Sequence, residues 1–167
     1  MSFADELRSI PDKQKKEDEL QRSNDWDKLK YELYNRIKAG CLSAAKEGSN
    51  GHYTYFDDLL NQIDEEIQKD SQRYDTRNKK RVQWWERIKK RLYRQLTPTS
   101  KLEPKAYLWE AEYNELSTCL VELLTKDGLQ VIVKPSRWEK KRFGYKNGRL
   151  QFVNDGYAYK FTLNISW

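Results

Sequence analysis

Between residues 157 and 167 every second side chain is large and apolar or aromatic: Tyr157, Tyr159, Phe161, Leu163, Ile165 and Trp167. Ala158, Lys160, Thr162, Asn164 and Ser166 stand between them. Successive side chains leave a strand on opposite sides, so strict period-two alternation predicts a β-strand with one buried and one wet face. Upstream the period changes. Trp26, Leu29, Leu33, Ile37, Cys41 and Ala44 are spaced by three or four residues, the signature of one helical face, and predict a helix running to about Lys46. Gly48-Ser49-Asn50-Gly51 ends it, because glycine and asparagine accept the left-handed conformation found at helix ends.

Before that helix, Ser2 with Asp5 predicts a short capped helix over residues 3–9 that Pro11 interrupts, followed by an almost wholly charged, solvated stretch, residues 12–19. After it, residues 52–56 read as a short strand. Asp57-Asp58 reads as the N-cap of a helix with Leu60, Ile63 and Ile67 on one face. Apolar periodicity lapses around residues 71–78, which leaves both a break and a polar segment of one long helix open. It resumes with Val82, Trp85, Ile88, Leu92 and Leu96, and Pro98 and Pro104 stop it. Residues 106–127 are predicted as one helix on the spacing of Trp109, Tyr113, Leu116, Leu120 and Leu123 or Leu124, with Gly128 as its C′ residue, although Tyr107, Trp109, Ala111 and Tyr113 also alternate.

Leu129, Val131 and Val133 predict a strand closed by Pro135. Residues 138–145 and 149–153 give two more, joined by Asn147-Gly148, both of which accept positive φ. Asn154-Asp155-Gly156 reads as the next turn. The expected fold is α+β: several amphipathic helices packed on one face of a C-terminal antiparallel β-meander. It forms a single domain over residues 1–167, with a helical N-terminal arm (1–50), a basic helical middle (51–104) and a helix plus meander (105–167).

At 167 residues the chain is long enough for one core, and its 22 aromatic residues argue against disorder despite a charged share of 35%. The formal net charge of +6 is unevenly placed. Residues 57–76 hold seven acidic and two basic residues; residues 77–94 reverse this with nine basic and one acidic, and residues 128–167 hold eight basic and two acidic. Two regions therefore carry the positive excess, and phosphate binding is the chemistry such an excess suits. The candidate contacts are Trp84, Arg87, Lys90, Arg91 and Arg94 on the basic helix and Lys140, Lys141 and Arg142 on the hairpin. Trp85 lies in the apolar stripe, and its neighbour Trp84 is left as an exposed contact candidate. The competing reading of the basic helix is a solvated face balanced by the acidic segment before it.

Catalytic constellations are sparse. His52 is the only histidine, and Cys41 and Cys119 lack paired zinc-ligand spacing, so no metal or other cofactor is expected. Neighbouring acids at Asp57-Asp58 and Asp64-Glu65-Glu66 point in different directions on a helix and read as caps and solvated faces. No glycine pattern for binding phosphate occurs. Lys141-Arg142-Phe143-Gly144-Tyr145 echoes part of the RNA-recognition motif's signature strand but has Arg142 where the motif has glycine. A non-enzyme is expected. The absence of a leading apolar segment, of a disulfide framework and of any run near the roughly 18 apolar residues of a membrane span points to a cytoplasmic setting without membrane contact.

Three patches together resemble small proteins of phages and mobile elements in Gram-positive bacteria: Met1-Ser2-Phe3-Ala4-Asp5-Glu6-Leu7-Arg8-Ser9-Ile10-Pro11; Ile37-Lys38-Ala39-Gly40-Cys41; and Asp127-Gly128-Leu129-Gln130-Val131 with the closing Ile165-Ser166-Trp167. That class includes anti-CRISPR inhibitors of host defence, which act by binding. The resemblance implies a protein that binds and inhibits a host nucleic-acid machine, such as a CRISPR effector, with a host protein or ribonucleoprotein as partner. Direct binding of DNA or RNA through the basic helix 77–94 and the hairpin 137–149 is the alternative.

Overall fold

The stripe from Trp26 to Cys41 lies on the buried side of one helix, α1 (Phe3–Lys46), in a computed structural model that describes residues 3–71, 76–92 and 108–167. Pro11 does not interrupt α1, contrary to expectation. It lies in a stretch, residues 11–24, that is exposed all round, where water can satisfy the backbone groups a helix-internal proline leaves unpaired. At its other end α1 closes with a Schellman motif. Gly48 takes φ 84°, its N–H donates to the Ala45 carbonyl at 3.0 Å, and the Ser49 N–H donates to that of Ala44 at 2.9 Å.

Strand β1 (Gly51–Tyr55) leads directly into α2 (Phe56–Ser71), which buries Phe56, Leu59, Leu60, Ile63 and Ile67. Because the helix begins at Phe56, Asp57 and Asp58 occupy its first turn and do not cap it, a position its dipole still favours. Helix α3 (Thr76–Leu92) is separate from α2 and runs back along it. As the chain advances along α3, its partners on α2 recede: Arg81 meets Asp70 at 3.1 Å and the Trp85 indole N–H donates to Asp64 at 2.7 Å. The question of one helix or two thus resolves into an antiparallel pair.

Helix α4 (Glu110–Lys126) starts later than residue 106. Leu108 instead exchanges two backbone hydrogen bonds with Tyr159, at 3.0 and 2.8 Å, as a single β-bridge. The Trp109 N–H donates to the Glu112 carboxylate at 3.2 Å and closes the first turn of the helix. Gly128, φ 84°, ends α4 in a second Schellman motif, as its position predicts.

The sheet is antiparallel in the order β1-β3-β2, so the α+β fold is borne out. Its strands are longer and fewer than the turn signals predict. β2 (Gln130–Lys146) and β3 (Arg149–Ser166) form one continuous hairpin across Asn147-Gly148, whose φ values of 55° and 73° suit a tight turn between twisted strands. Pro135 does not close a strand. It sits within β2 opposite Phe161, which an outer strand tolerates because a missing N–H there leaves no ladder bond broken. Asn154-Asp155-Gly156 does not turn the chain either. Glu139 pairs with Tyr157 and Lys141 with Asn154, so Asp155 and Gly156 together oppose Lys140 in a β-bulge, and Gly156 takes the φ of 96° it needs.

Tyr159, Phe161, Leu163 and Ile165 of β3 are buried, and the helices bury Leu29, Leu33, Ile63, Leu116 and Leu120 in the same core. α3 packs on α1 and α2, with Trp84, Trp85, Ile88 and Leu92 inward. Among the described residues, no helix is long and apolar enough to cross a membrane.

Candidate nucleic-acid interface

Two neighbours on a helix point about 100° apart, so Trp84 and Trp85 can both be buried only if the helix has core on two sides. α3 does, because it lies against both α1 and α2. Trp84 is 2% exposed and donates its indole N–H to the Asp25 carbonyl of α1 at 3.1 Å, while Trp85 reaches Asp64 of α2. Trp84 is therefore a packing residue, and its expected role as an exposed contact is corrected.

The cations of α3 are matched by carboxylates on the helices around it. Arg87 donates to both Asp25 oxygens, at 2.5 and 2.9 Å. Burial alone would raise the Asp25 carboxyl, but hydrogen bonds from Arg87 and Gln21 outweigh it and hold the group below the ordinary carboxylate range. Arg91 pairs with the buried Glu112 at 2.8 Å and lies over the Trp26 ring, 4.1 Å from its centroid. Arg81 contacts Glu32 and Glu66, each at 3.3 Å, besides Asp70. Lys89 pairs with Glu86 at 2.6 Å. Lys90 is exposed, together with Lys79 and Lys80, and Arg94 lies outside the described residues. Arg81, Arg87 and Arg91 thus fasten α3 to α1, α2 and α4, while Lys79, Lys80 and Lys90 face solvent.

The acids considered for metal chemistry are similarly engaged. Asp57 pairs with Lys160 of β3, Asp64 accepts from Trp85 and Gln68, and Glu66 accepts two hydrogen bonds from Arg36, at 2.9 and 2.6 Å. Among the described residues no group of three or more metal-ligating side chains occurs. Burial pushes the Cys41 thiol up, away from the reactive thiolate, and holds His52 below its ordinary range.

The hairpin behaves differently. An 18-residue strand spans about 60 Å, whereas α4, with 17 residues, spans only about 26 Å. The helix runs out first. Beyond the bulge the two strands continue as a ribbon in which Tyr145 and residues 147–152 are all exposed, on both faces. The segment 134–157 holds seven basic and two acidic residues and five aromatic ones.

Register separates the two faces. Val131 and Val133 of β2 pack toward the helices while Ile132 and Lys134 are exposed, so odd positions of β2 continue the core-facing side. Carried outward, that side holds positions 141, 143 and 145, paired with Asn154, Phe152 and Leu150. The other side holds positions 142, 144 and 146, paired with Val153, Gln151 and Arg149. One face of the ribbon therefore carries the exposed Tyr145, Leu150 and Phe152 with positions 141, 143 and 154, and the other carries the exposed Gln151 and Arg149 with positions 142, 144, 146 and 153. Nearer the body, Arg137 lies over the Tyr157 ring at 5.0 Å.

Of the residues singled out from the sequence, Lys140, Lys141 and Arg142 are consecutive positions of β2 on this ribbon, with side chains outside the described ones. Arg87 and Arg91 are tied into ion pairs. Tyr145 (79% exposed), Phe152 (61%) and Leu150 (57%) also lie at the surface of this ribbon, and none of them is among the residues singled out from the sequence as contacts. The signal that finds them is the length of the strands against that of the helices available to cover them. Compared with known proteins, the chain matches no family model, no curated protein and no solved structure.

Proposed function

We propose that the protein is a non-enzymatic binding module that engages nucleic acid through its basic β-ribbon, residues 134–157. The observation that carries this reading is the contrast between the two basic regions. Arg81, Arg87 and Arg91 of α3 are held by Asp25, Glu32, Glu66, Asp70 and Glu112, whereas the ribbon has seven cations against two acids and is exposed on both faces at Tyr145 and residues 147–152. An excess of cations on a slender element, with Lys134, Arg137 and Arg149 exposed, suits phosphate contacts, which release counterions and make affinity fall with salt.

The test is fluorescence anisotropy with labelled DNA and RNA. Five or so phosphate contacts would lower affinity about a hundredfold or more between 50 and 200 mM salt. Charge reversal of Lys140, Lys141 and Arg142 should abolish most of the binding, and reversal of Lys79, Lys80 and Lys90 on α3 should change it little. Binding that ignores salt and the ribbon charges would refute the proposal.

The resemblance to phage and mobile-element proteins supports a second reading, in which the same ribbon occupies the nucleic-acid site of a host machine, such as a CRISPR effector in the host cytoplasm, and inhibits it. Here the exposed Tyr145 and Leu150 would contact protein. This reading predicts that tagged protein retains a host nucleoprotein partner after nuclease treatment of the lysate, which direct nucleic-acid binding alone does not give.

A further inference from the structure

We infer that the outer edge of β1 takes up an extended segment of a partner protein as an added strand, and that a basic side chain of that segment enters the cleft beside the edge. This surface is separate from the ribbon. Among the described residues β1 pairs with β3 alone. The Trp167 N–H donates to the Asn50 carbonyl, and antiparallel partners bond at every second position, so Asn50, His52 and Thr54 turn their backbone groups toward β3. The bridge between Leu108 and Tyr159 sets the same parity, since Leu108 meets Tyr159 on the side of β3 away from β2. Tyr53 therefore turns its N–H and C=O outward, as do Gly51 and Tyr55. Such groups are the template for strand addition. The other outer edge, on β2, is interrupted by Pro135, whereas β1 carries no proline, lysine or arginine.

The cleft sets the chemistry of the occupant. A cavity of about 530 Å³ lies between α1, α2 and β1, lined on the strand by His52, Tyr53 and Thr54. Thr54 is buried and the His52 ring lies against Gly40 of α1, so these two mark the side of β1 that faces the helices. Side chains opposite one another in paired strands share a face, and a residue of the added strand opposite His52 or Thr54 thus points into the cleft. Three of the lining residues are acidic, Glu32, Asp58 and Glu66, and one is basic, Arg36. Arg36 and Arg81 hold Glu32 and Glu66. Asp58 is exposed and has no ion pair or hydrogen bond among the described residues, so its charge is the one left over. That surplus repels phosphate, and the β1 strand of a second copy brings no cation to it. A lysine or arginine on an extended segment matches the charge while the main chain pairs with Tyr53. On the opposite side Tyr53 and Tyr55 are half-exposed, with rings meeting edge to face at 5.0 Å, and offer apolar contact to the residues between the cations. The occupant therefore alternates basic and apolar residues.

The probe is a fluorescein-labelled peptide of about six residues, the length of an ordinary strand, in which arginine and valine alternate. A second peptide has glutamate in place of arginine. A third is the arginine peptide N-methylated at its valines, which keeps the charge and removes the donors that would face Tyr53. Each is titrated by fluorescence anisotropy against the full chain, Asp58→Asn and Asp58→Arg. Asp58 is exposed, so an unchanged melting temperature serves as the folding control. The expected result is binding of the arginine peptide and not of the glutamate peptide. Asp58→Asn should lower affinity about fivefold or more, Asp58→Arg should abolish binding, and N-methylation should cost about tenfold or more. Failure of the arginine peptide to bind, equal binding of its N-methylated form, or unchanged affinity in Asp58→Asn overturns the inference and leaves the reading of the ribbon standing. A dimer seen in sedimentation and abolished by Tyr53→Pro also overturns it, since the edge then belongs to a second copy.

Discussion

His52 rests its ring on the backbone of Gly40: a methyl group at that glycine would lie 2.5 Å from the histidine Nε2 and 2.9 Å from Cε1. Gly40 is in mid-helix, where glycine costs stability relative to alanine, so the close approach explains its presence. Gly40→Ala should therefore destabilise the protein by about 1–3 kcal/mol in urea unfolding. In a His52→Ala background the same change should stabilise it by about 0.5–1 kcal/mol, the ordinary helix preference. A glycine effect of the same sign in both backgrounds would show that the contact does not govern the site. This pairing could not be read from the chain, because it depends on how β1 is laid against α1. Leu29, Leu33 and Ile37 could, since their spacing alone fixes a face. Trp84 shows where spacing stops being enough: it lies outside the single stripe drawn through Val82, Trp85 and Ile88, yet is buried because α3 has two packed flanks.

Among the elements, α3 depends most on charge. Its Asp25–Arg87 pair joins it to α1 beside the indole of Trp84, and Asp25 is only 7% exposed. A carboxyl held below its ordinary range in the folded protein takes up its proton more readily in the unfolded chain. The pair's contribution is complete above the unfolded value near pH 4 and is lost as pH falls through the lower folded value. Melting temperature should drop as pH falls below about 4, and Asp25→Asn should flatten that part of the profile. At pH 7 the same substitution should cost about 1 kcal/mol, moderated because the Arg87 side chain is 45% exposed. An unchanged acid limb in the variant would assign acid sensitivity to other carboxylates. At this scale two sequence signals of the same chemistry had different outcomes. Asn147-Gly148 turns the chain, whereas Asn154-Asp155-Gly156 is absorbed as a bulge. Each supplies positive φ, but only pairing with the opposite strand determines whether the chain reverses or swells.

The whole molecule is a helical body on one end of a long antiparallel hairpin. Backbone amides of β3 should reflect this. Those at Leu163 and Ile165, between β1 and β2 and under the helices, should exchange with solvent near the rate set by global unfolding. Those at Arg149 and Gln151, which face β2 in the alternating pattern set by the two-residue turn, should exchange at least about tenfold faster, because a two-stranded ribbon is only marginally stable by itself. Uniform protection along β3 would indicate that something covers the ribbon. The α+β architecture was legible from the change of period along the chain and from the final alternating strand. The projection of the hairpin was not, because turn-like residues divided it into short strands of ordinary length. Pro135 then acquires a meaning at this scale. β2 is an outer strand, and a long outer strand offers bare amide and carbonyl groups as a template for another chain. With Pro135 lacking an N–H, and Lys134 and Arg137 exposed on either side of it, that template is interrupted midway. The chain can therefore hold out a long ribbon for a ligand while resisting the edge-to-edge stacking that leads to fibrils.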